Sequence, residues 1–301
     1  MTTQEAPVRS VRRSGALELL SGIWSVVRLL ARNRIGLIGM IGLLAFILLA
    51  FVGPYIVPLD TKVKVKEIYA PISWAHPLGT DSQGKDVWSQ IVHGGRELIL
   101  VSVSAALLST LIGASLGALS AVAGGWVDSA LMFLTDIWLT IPQLPLLIVL
   151  AAFIRVNNPF TLVLIIGLLS WPGLLRAVRS QVLAIKQSDY IEAARVLDLG
   201  TGHIVFREIL PNMMSYITIN FILAVTAAMG FQATLVFLGV VPLSGTNWGV
   251  MIRLADTRGA IFSKDSFWFI MAPVLAISLF QLTLVALERG FAEVFNPRLR
   301  S

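Results

Sequence analysis

Long stretches without formal charge constrain this chain more than any other feature, because a helix needs roughly 20 apolar residues to cross about 30 Å of hydrocarbon. Residues 35–59, 98–127, 156–175 and 267–287 contain no Asp, Glu, Lys or Arg, and 129–154 contains only Asp136. Residues 209–252 are uncharged for too long to be one helix. They divide into a span over about 212–241 and a re-entrant or surface loop opened by Pro242. The alternating pattern of a membrane barrel is absent. The expectation is an all-α membrane protein with six transmembrane helices. Charged residues make up 13% of the 301, against about 25% in a soluble domain. A water-soluble enzyme of ordinary composition is excluded. With no cysteine, disulfides, thiolate zinc sites and iron–sulfur ligation are excluded too. The first apolar run is too long for a signal h-region and lacks a small-residue cleavage pattern, so it reads as a retained helix.

Basic residues set the orientation. With the N-terminus inside, the inner segments hold Arg9, Arg12, Arg13, Arg28, Arg32 and Arg34, then Arg176, Arg179, Lys186, Arg195 and Arg207, then Arg289, Arg298 and Arg300. These are the larger share of the 23 Lys and Arg residues. The chain is expected in the cell membrane, multi-pass, with both termini cytoplasmic. The net charge of +6 then reflects topology and anionic lipid rather than nucleic acid. The layout is a cytoplasmic tail (1–34), a first transmembrane helix (35–59), an outer loop (60–97), a five-helix core (98–291) with an inner loop at 187–212, and a cytoplasmic tail (292–301).

Several motifs fail on their chemistry. The run from Gly79 to Asp86 nearly spells a P-loop, but Asp86 stands where a magnesium-binding hydroxyl is needed and no strand precedes Gly79. Gly113-Ala-Ser115-Leu-Gly117 has the spacing of a serine nucleophile, the basis for an intramembrane hydrolase reading. A serine nucleophile needs a base, and His76, His93 and His203 all fall outside the spans. Small-xxx-small helix packing explains the glycines better. Ser82 and Lys85 share SxxK spacing without the rest of that signature. No metal site is expected from three scattered histidines. An ion channel is disfavoured by the lack of a filter sequence or ring-forming acid.

Three features stay open at this level. Asp136 serves either structure and coupling or ion handling, and Pro142 and Pro145 should kink its helix. The polar residues Asn220, Thr226, Gln232 and Thr234, with Met229 as a gate candidate, either line a translocation cavity or join helices by hydrogen bonds. Trp248, Arg253 and Arg258 either meet a binding protein or, for Trp248, belong to the interfacial belt.

The inner loop differs from its surroundings. Asp189 and Glu192 have capping-box spacing, a short helix with Ala193 and Ala194 follows, Gly200 and Gly202 break it, and a second amphipathic stretch leads to Pro211. Two short helices make a knob that suits either a protein groove or a lipid surface. Glu192-Ala193-Ala194 followed by Leu210-Pro211-Asn212 resembles the EAA loop of ABC-importer permeases. His76-Pro-Leu-Gly79-Thr80-Asp81 through Gly84-Lys85-Asp86-Val resembles a stretch of the C-type permeases of dipeptide, oligopeptide and nickel importers. Gly124-Gly-Trp-Val-Asp128, Ser170-Trp-Pro-Gly173, Phe237-Leu-Gly239, Asn247-Trp-Gly249 and Asn296-Pro-Arg298 extend the resemblance in order along the chain. Asp198 departs from it, standing where a glycine is usual, so a turn shifted to Gly200 is expected; Lys85 and Asn296 replace arginine and aspartate.

The resemblance implies a type I importer permease that performs no catalysis and binds no cofactor, with ATP and magnesium held by partner subunits. Those partners are a homologous second permease, two ATPase subunits and an external solute-binding protein, alongside membrane lipid. Glu192, Ala193, Ala194, Arg195 and Leu197 would couple to the ATPase, with Asp198 and Gly200 at the turn. Ala193 and Ala194 would enter its groove, and Glu192 and Arg195 would make polar contacts at the rim. Peptides are the implied cargo, with oligosaccharides and nickel chelates as alternatives within the same machine.

Overall fold

A computed structural model describes residues 24, 27–59, 61–154, 156, 158–241, 246–262 and 264–295, apart from the Arg195 side chain. Arg9, Arg12, Arg13, Arg155, Pro242 and the segment Asn296–Arg298 lie outside the described residues. The described residues form α1 (Arg34–Phe51), α2 (Val87–Ala123), α3 (Gly125–Thr140), α4 (Gln143–Ile154), α5 (Pro159–Leu169), α6 (Trp171–Ile185), α7 (Asp189–Val196), α8 (Met214–Phe237), α9 (Trp248–Thr257) and α10 (Phe267–Phe295), with shorter turns between them. Four helices are long and apolar enough to cross a membrane, or six when α3–α4 and α5–α6 each count as one bent span.

The helix starts follow from side chains that satisfy otherwise orphaned N–H groups. Asn33 accepts from Ile35 and Gly36 N–H, Asp86 from Ser89, Asn158 from Thr161 and Asn247 from Gly249. The expected outer loop therefore ends at Asp86 rather than at residue 97. Arg96 and Glu97 end the uncharged run but not the helix, since hydropathy reports the boundary of lipid, not of helical backbone. The Arg96 guanidinium instead lies over the Phe51 ring, 5.6 Å from its centre. At 37 residues α2 is about 55 Å long, more than a bilayer with its headgroups. α10 likewise continues past residue 287 to Phe295.

α2 is the axis around which the others pack. α5 and α6 run parallel to it, with Gly167 against the Ala105 carbonyl, Gly113 against the Trp171 carbonyl and Gly117 against that of Leu175. A Cβ on Gly117 would sit 2.5 Å from that oxygen, so the Gly113–Gly117 spacing is helix packing. α1 runs antiparallel to α10 along a glycine seam: Gly36 meets Gly290, Gly39 meets Leu287 and Gly42 meets Thr283. The Asn33 amide bonds the Glu293 carboxylate at one end of that seam. The start of α1, the end of α10 and the α6–α8 connection thus share one end of the molecule, called here the Glu192 end. The 61–86 loop and α9 share the other, the His76 end.

The expected kink at Pro142 is far sharper than a kink. α3 and α4 meet at 85° and α5 and α6 at 41°. Pro142 has no N–H for the helix ladder, and Ile141 before it is extended (φ −89°, ψ 121°), as a residue before proline prefers.

At the His76 end the Gly79–Asp86 run forms a lid on α2. Asp81, 2% exposed, accepts from the N–H groups of Gln83 (2.7 Å) and Lys85 (2.9 Å) and from Gln90 Nε2 (2.9 Å). Thr80 Oγ1 donates to the Glu67 carbonyl and accepts from Ala70 N–H. Gly84 packs so closely on the Lys64 carbonyl that no Cβ fits. Asp81 thus holds the loop together, and Asp86, which spoils a phosphate cradle, caps the helix that follows it.

Candidate functional site

The inner loop forms a knuckle whose parts differ in direction. α7 starts at Asp189, which together with Glu192 lies in its first turn, so Asp189 does not occupy the cap position its spacing suggested. Ile191 is fully buried and Ala194 is 5% exposed, packed in a cluster with Val178, Val182, Ile204, Val205 and Ile209. Ala194 is therefore a root of the knuckle rather than part of its docking surface, which corrects its expected place in a partner's groove. Glu192 and Ala193 are exposed, as are Val196 (80%) and Leu197 (71%). Two large aliphatic side chains left in the open beside a small residue form an apolar tip. A recess of about 540 Å³ lined by Lys186, Gln187, Glu192 and Val196 lies next to it.

The turn has not shifted to Gly200. Asp198 itself takes φ 52°, and Leu199 N–H bonds the Ala194 carbonyl at 3.1 Å, the long bond of a Schellman stop. Aspartate is among the few non-glycine residues that visit this region readily. Gly200 then precedes Thr201–His203, and Gly202 sits within that turn. Asp198→Gly is expected to leave the unfolding free energy of the purified protein unchanged. Asp198→Val should lower the unfolding free energy of the purified protein by about 1–2 kcal/mol. Equal unfolding curves for the two variants would rule out this reading of the turn.

α6, which leads into the knuckle, is tied to the bundle by polar contacts that the sequence did not reveal. Arg179 grips Asp128 through Nε (2.5 Å) and Nη2 (2.6 Å), and Ser120 Oγ donates to the same carboxylate. Lys186 Nζ donates to the Ala121 carbonyl at 2.9 Å, a cation at the end of α2 where the helix dipole favours one. One signal was present: Asp128 is the single charge between the uncharged runs 98–127 and 129–154, and Arg176 ends the run 156–175. Asp136 bonds Arg176, so it is paired rather than isolated.

The expected polar stripe on α8 is divided: Thr234 lines an open recess of about 260 Å³ with Gly230, Phe237 and Ser278, whereas Met229 and Gln232 do not face it. Met229 and Gln232 are fully buried, Met229 in the main apolar core and Gln232 against α2, where Ser102 Oγ donates to Gln232 Oε1 at 3.3 Å. Asn220, Thr226 and Thr234 donate back to carbonyls of their own helix. The reason is long-range: Ser102 lies 130 residues away, and no local pattern on α8 announces it.

Trp248 is also reassigned. It is fully buried, its ring seated on Gly94 and Gly95 and its Nε1–H donating to the Ile91 carbonyl at 2.9 Å. Adjacent glycines inside a helix are the signal that could have found it, since each costs about 1 kcal/mol unless something needs the space. Arg253, whose guanidinium lies against Gly239, and Arg258 remain exposed. The histidines are engaged elsewhere than at the half-buried Ser115: His76 with Asp86 and Glu67, His93 with the Val57 carbonyl, His203 with Glu208. Among the described residues no group of three or more metal-ligating side chains could hold an ion.

With this geometry in place, comparison with known proteins is informative. A model of the binding-protein-dependent transport system inner membrane component family matches residues 110–301. A model of the N-terminal TM domain of oligopeptide transport permease C matches residues 22–71. A putative peptide permease protein of Brucella suis biovar 1 is 31% identical over 269 residues, covering 89% of this chain and 88% of that protein. The dipeptide transport system permease protein DppC of Bacillus subtilis is 31% identical over 275 residues, covering 91% and 85%. A putative peptide transport system permease protein of Brucella abortus is 30% identical over 282 residues, covering 91% of each.

Proposed function

This chain belongs to the binding-protein-dependent transport system inner membrane component family, and from that premise we propose that it is the multi-pass permease subunit of an ATP-driven peptide importer. It forms half of the conduit, a homologous permease forms the other half, and two ATPase subunits and an external binding protein complete the machine. The chain itself carries out no hydrolysis; it converts movement of the ATPases into opening and closing of the conduit.

The observation that carries this reading is the exposed apolar tip at Ala193, Val196 and Leu197, rooted through Ala194 and Ile191 in the α2–α6 bundle. A tip exposed at its end and immobile at its base transmits displacement. The Glu192 end, with the termini, faces the cytoplasm and the His76 end faces outward. The length of α2 supports opposite sides for the two ends, about 55 Å apart against the roughly 40–45 Å of a whole bilayer, and the excess of Lys and Arg at the Glu192 end supports which one is cytoplasmic.

Reconstitution of all subunits in vesicles tests the reading. ATP-dependent uptake of a labelled di- or tripeptide is expected, and is expected to disappear when this chain is omitted. Uptake of oligosaccharides or nickel chelates without any peptide uptake would overturn the cargo assignment.

A further inference from the structure

Met229 and Gln232 face inward, and the two helix breaks present a more polar wall than α8 does. They meet: Gln143 Nε2 donates to Ser170 Oγ at 2.6 Å, and Trp138 Nε1 donates to the Leu169 carbonyl at 3.2 Å. Their depth is fixed by α2. The Trp171 carbonyl lies against Gly113, near the middle of the uncharged stretch 98–127, so the breaks sit at the bilayer centre. Non-helical backbone is tolerated at that depth only within protein or along a water-filled cavity. A cavity of about 260 Å³ is present, lined by Trp138, Ile141, Gln143, Ser170 and Gly173 among others. A Cβ placed on Gly173 would meet nothing within 4 Å.

One turn further toward the Glu192 end lies the Asp136–Arg176 ion pair. The neighbouring Leu175 carbonyl faces Gly117, four residues or about 6 Å from Gly113, within the roughly 15 Å half-thickness of the hydrocarbon. Yet the Arg176 and Asp136 side chains are 53% and 61% exposed. Ionised groups at such a depth face water or protein, not lipid.

We propose that the face made by α3, the α3–α4 break and α6 lines the aqueous passage, and that Asp136 and Arg176 form a subsite for zwitterionic cargo. A free peptide presents an ammonium to Asp136 and a carboxylate to Arg176, exchanging one internal ion pair for two intermolecular ones with no net change of charge. The cargo class rests on the peptide-importer reading; the water-lined face does not.

The chain has no cysteine, so single thiols can be placed without background from it. Thr140→Cys and Gly173→Cys, in the assembled transporter with its binding protein in vesicles, are compared with Ile41→Cys on the exposed apolar side of α1. The probe is a permanently charged methanethiosulfonate. Because it reacts with water-exposed thiolate, residues 140 and 173 should label at least about tenfold faster than residue 41. Equal rates would overturn the aqueous face. A free dipeptide should slow labelling at residue 173, and its N-acetylated, C-amidated form should not. Asp136→Asn should abolish that protection while leaving labelling itself fast. Equal protection by the blocked peptide, or protection surviving in Asp136→Asn, would overturn the subsite. Fast labelling in a transporter that imports no peptide would strike the cargo reading alone and leave the wall in place.

Discussion

Ala193→Trp is expected to abolish ATP-driven uptake while leaving the subunit folded and inserted. Ala193 is exposed on α7, so an indole there meets no part of its own chain. On the proposed function it meets the ATPase subunit instead, and a close-packed surface does not absorb that much extra volume. The adjacent substitution gives the contrast. Ala194 is 5% exposed among Val178, Val182 and Ile209, so Ala194→Trp should break the knuckle's own root and lower stability by about 1–3 kcal/mol or more. Two neighbouring residues then fail in different ways, one in assembly and one in folding. Uptake assays paired with thermal unfolding of each purified variant separate them. Normal uptake by Ala193→Trp would remove the tip from the coupling route.

Trp248→Ala is the largest expected loss of stability, about 3–5 kcal/mol, the range for emptying a buried aromatic site. The ring fills the notch over Gly94 and Gly95, touches Phe46 edge-on at 6.1 Å, and satisfies its own N–H at Ile91. Its removal opens a void where α1, α2 and α9 meet. Trp126, 80% exposed at the start of α3, is the control, and Trp126→Ala should change stability by no more than about 0.5 kcal/mol. Comparable unfolding curves for the two alanine variants would mean that α9 is held by something other than this seat.

The spans were legible because lipid imposes a rule on every residue of a helix it surrounds, and uncharged runs register that rule directly. The helix starts were legible at Asn33, Asp86 and Asn158 only once the backbone N–H groups they satisfy are seen; Arg96 and Glu97 hid the true beginning of α2 from a reading based on charge. The inner loop was legible in position and in the short helix that opens it. Its orientation was not, because which of Ala193 and Ala194 turns inward depends on Val178 and Ile209, contributed by other elements. The same distance defeated the reading of α8, whose Gln232 answers to Ser102, and of Trp248, which answers to Gly94. Asp198 illustrates the converse: the unusual residue was noticed, but a short polar side chain can hold the left-handed turn itself, so no displacement followed.

The glycine seam between α1 and α10 bears on how the chain is made. Gly39 leaves the ribosome about 250 residues before Leu287, the backbone it is shaped to meet. At 5–20 residues per second that is a delay of roughly 12–50 s. Through that interval the first helix stands in lipid with its small-residue groove unfilled, and the seam closes only when α10 has been made. A message truncated before the last span would therefore yield a protein whose first helix keeps its contacts with α2 and α9 but leaves the glycine groove bare, a ready mark for membrane quality control.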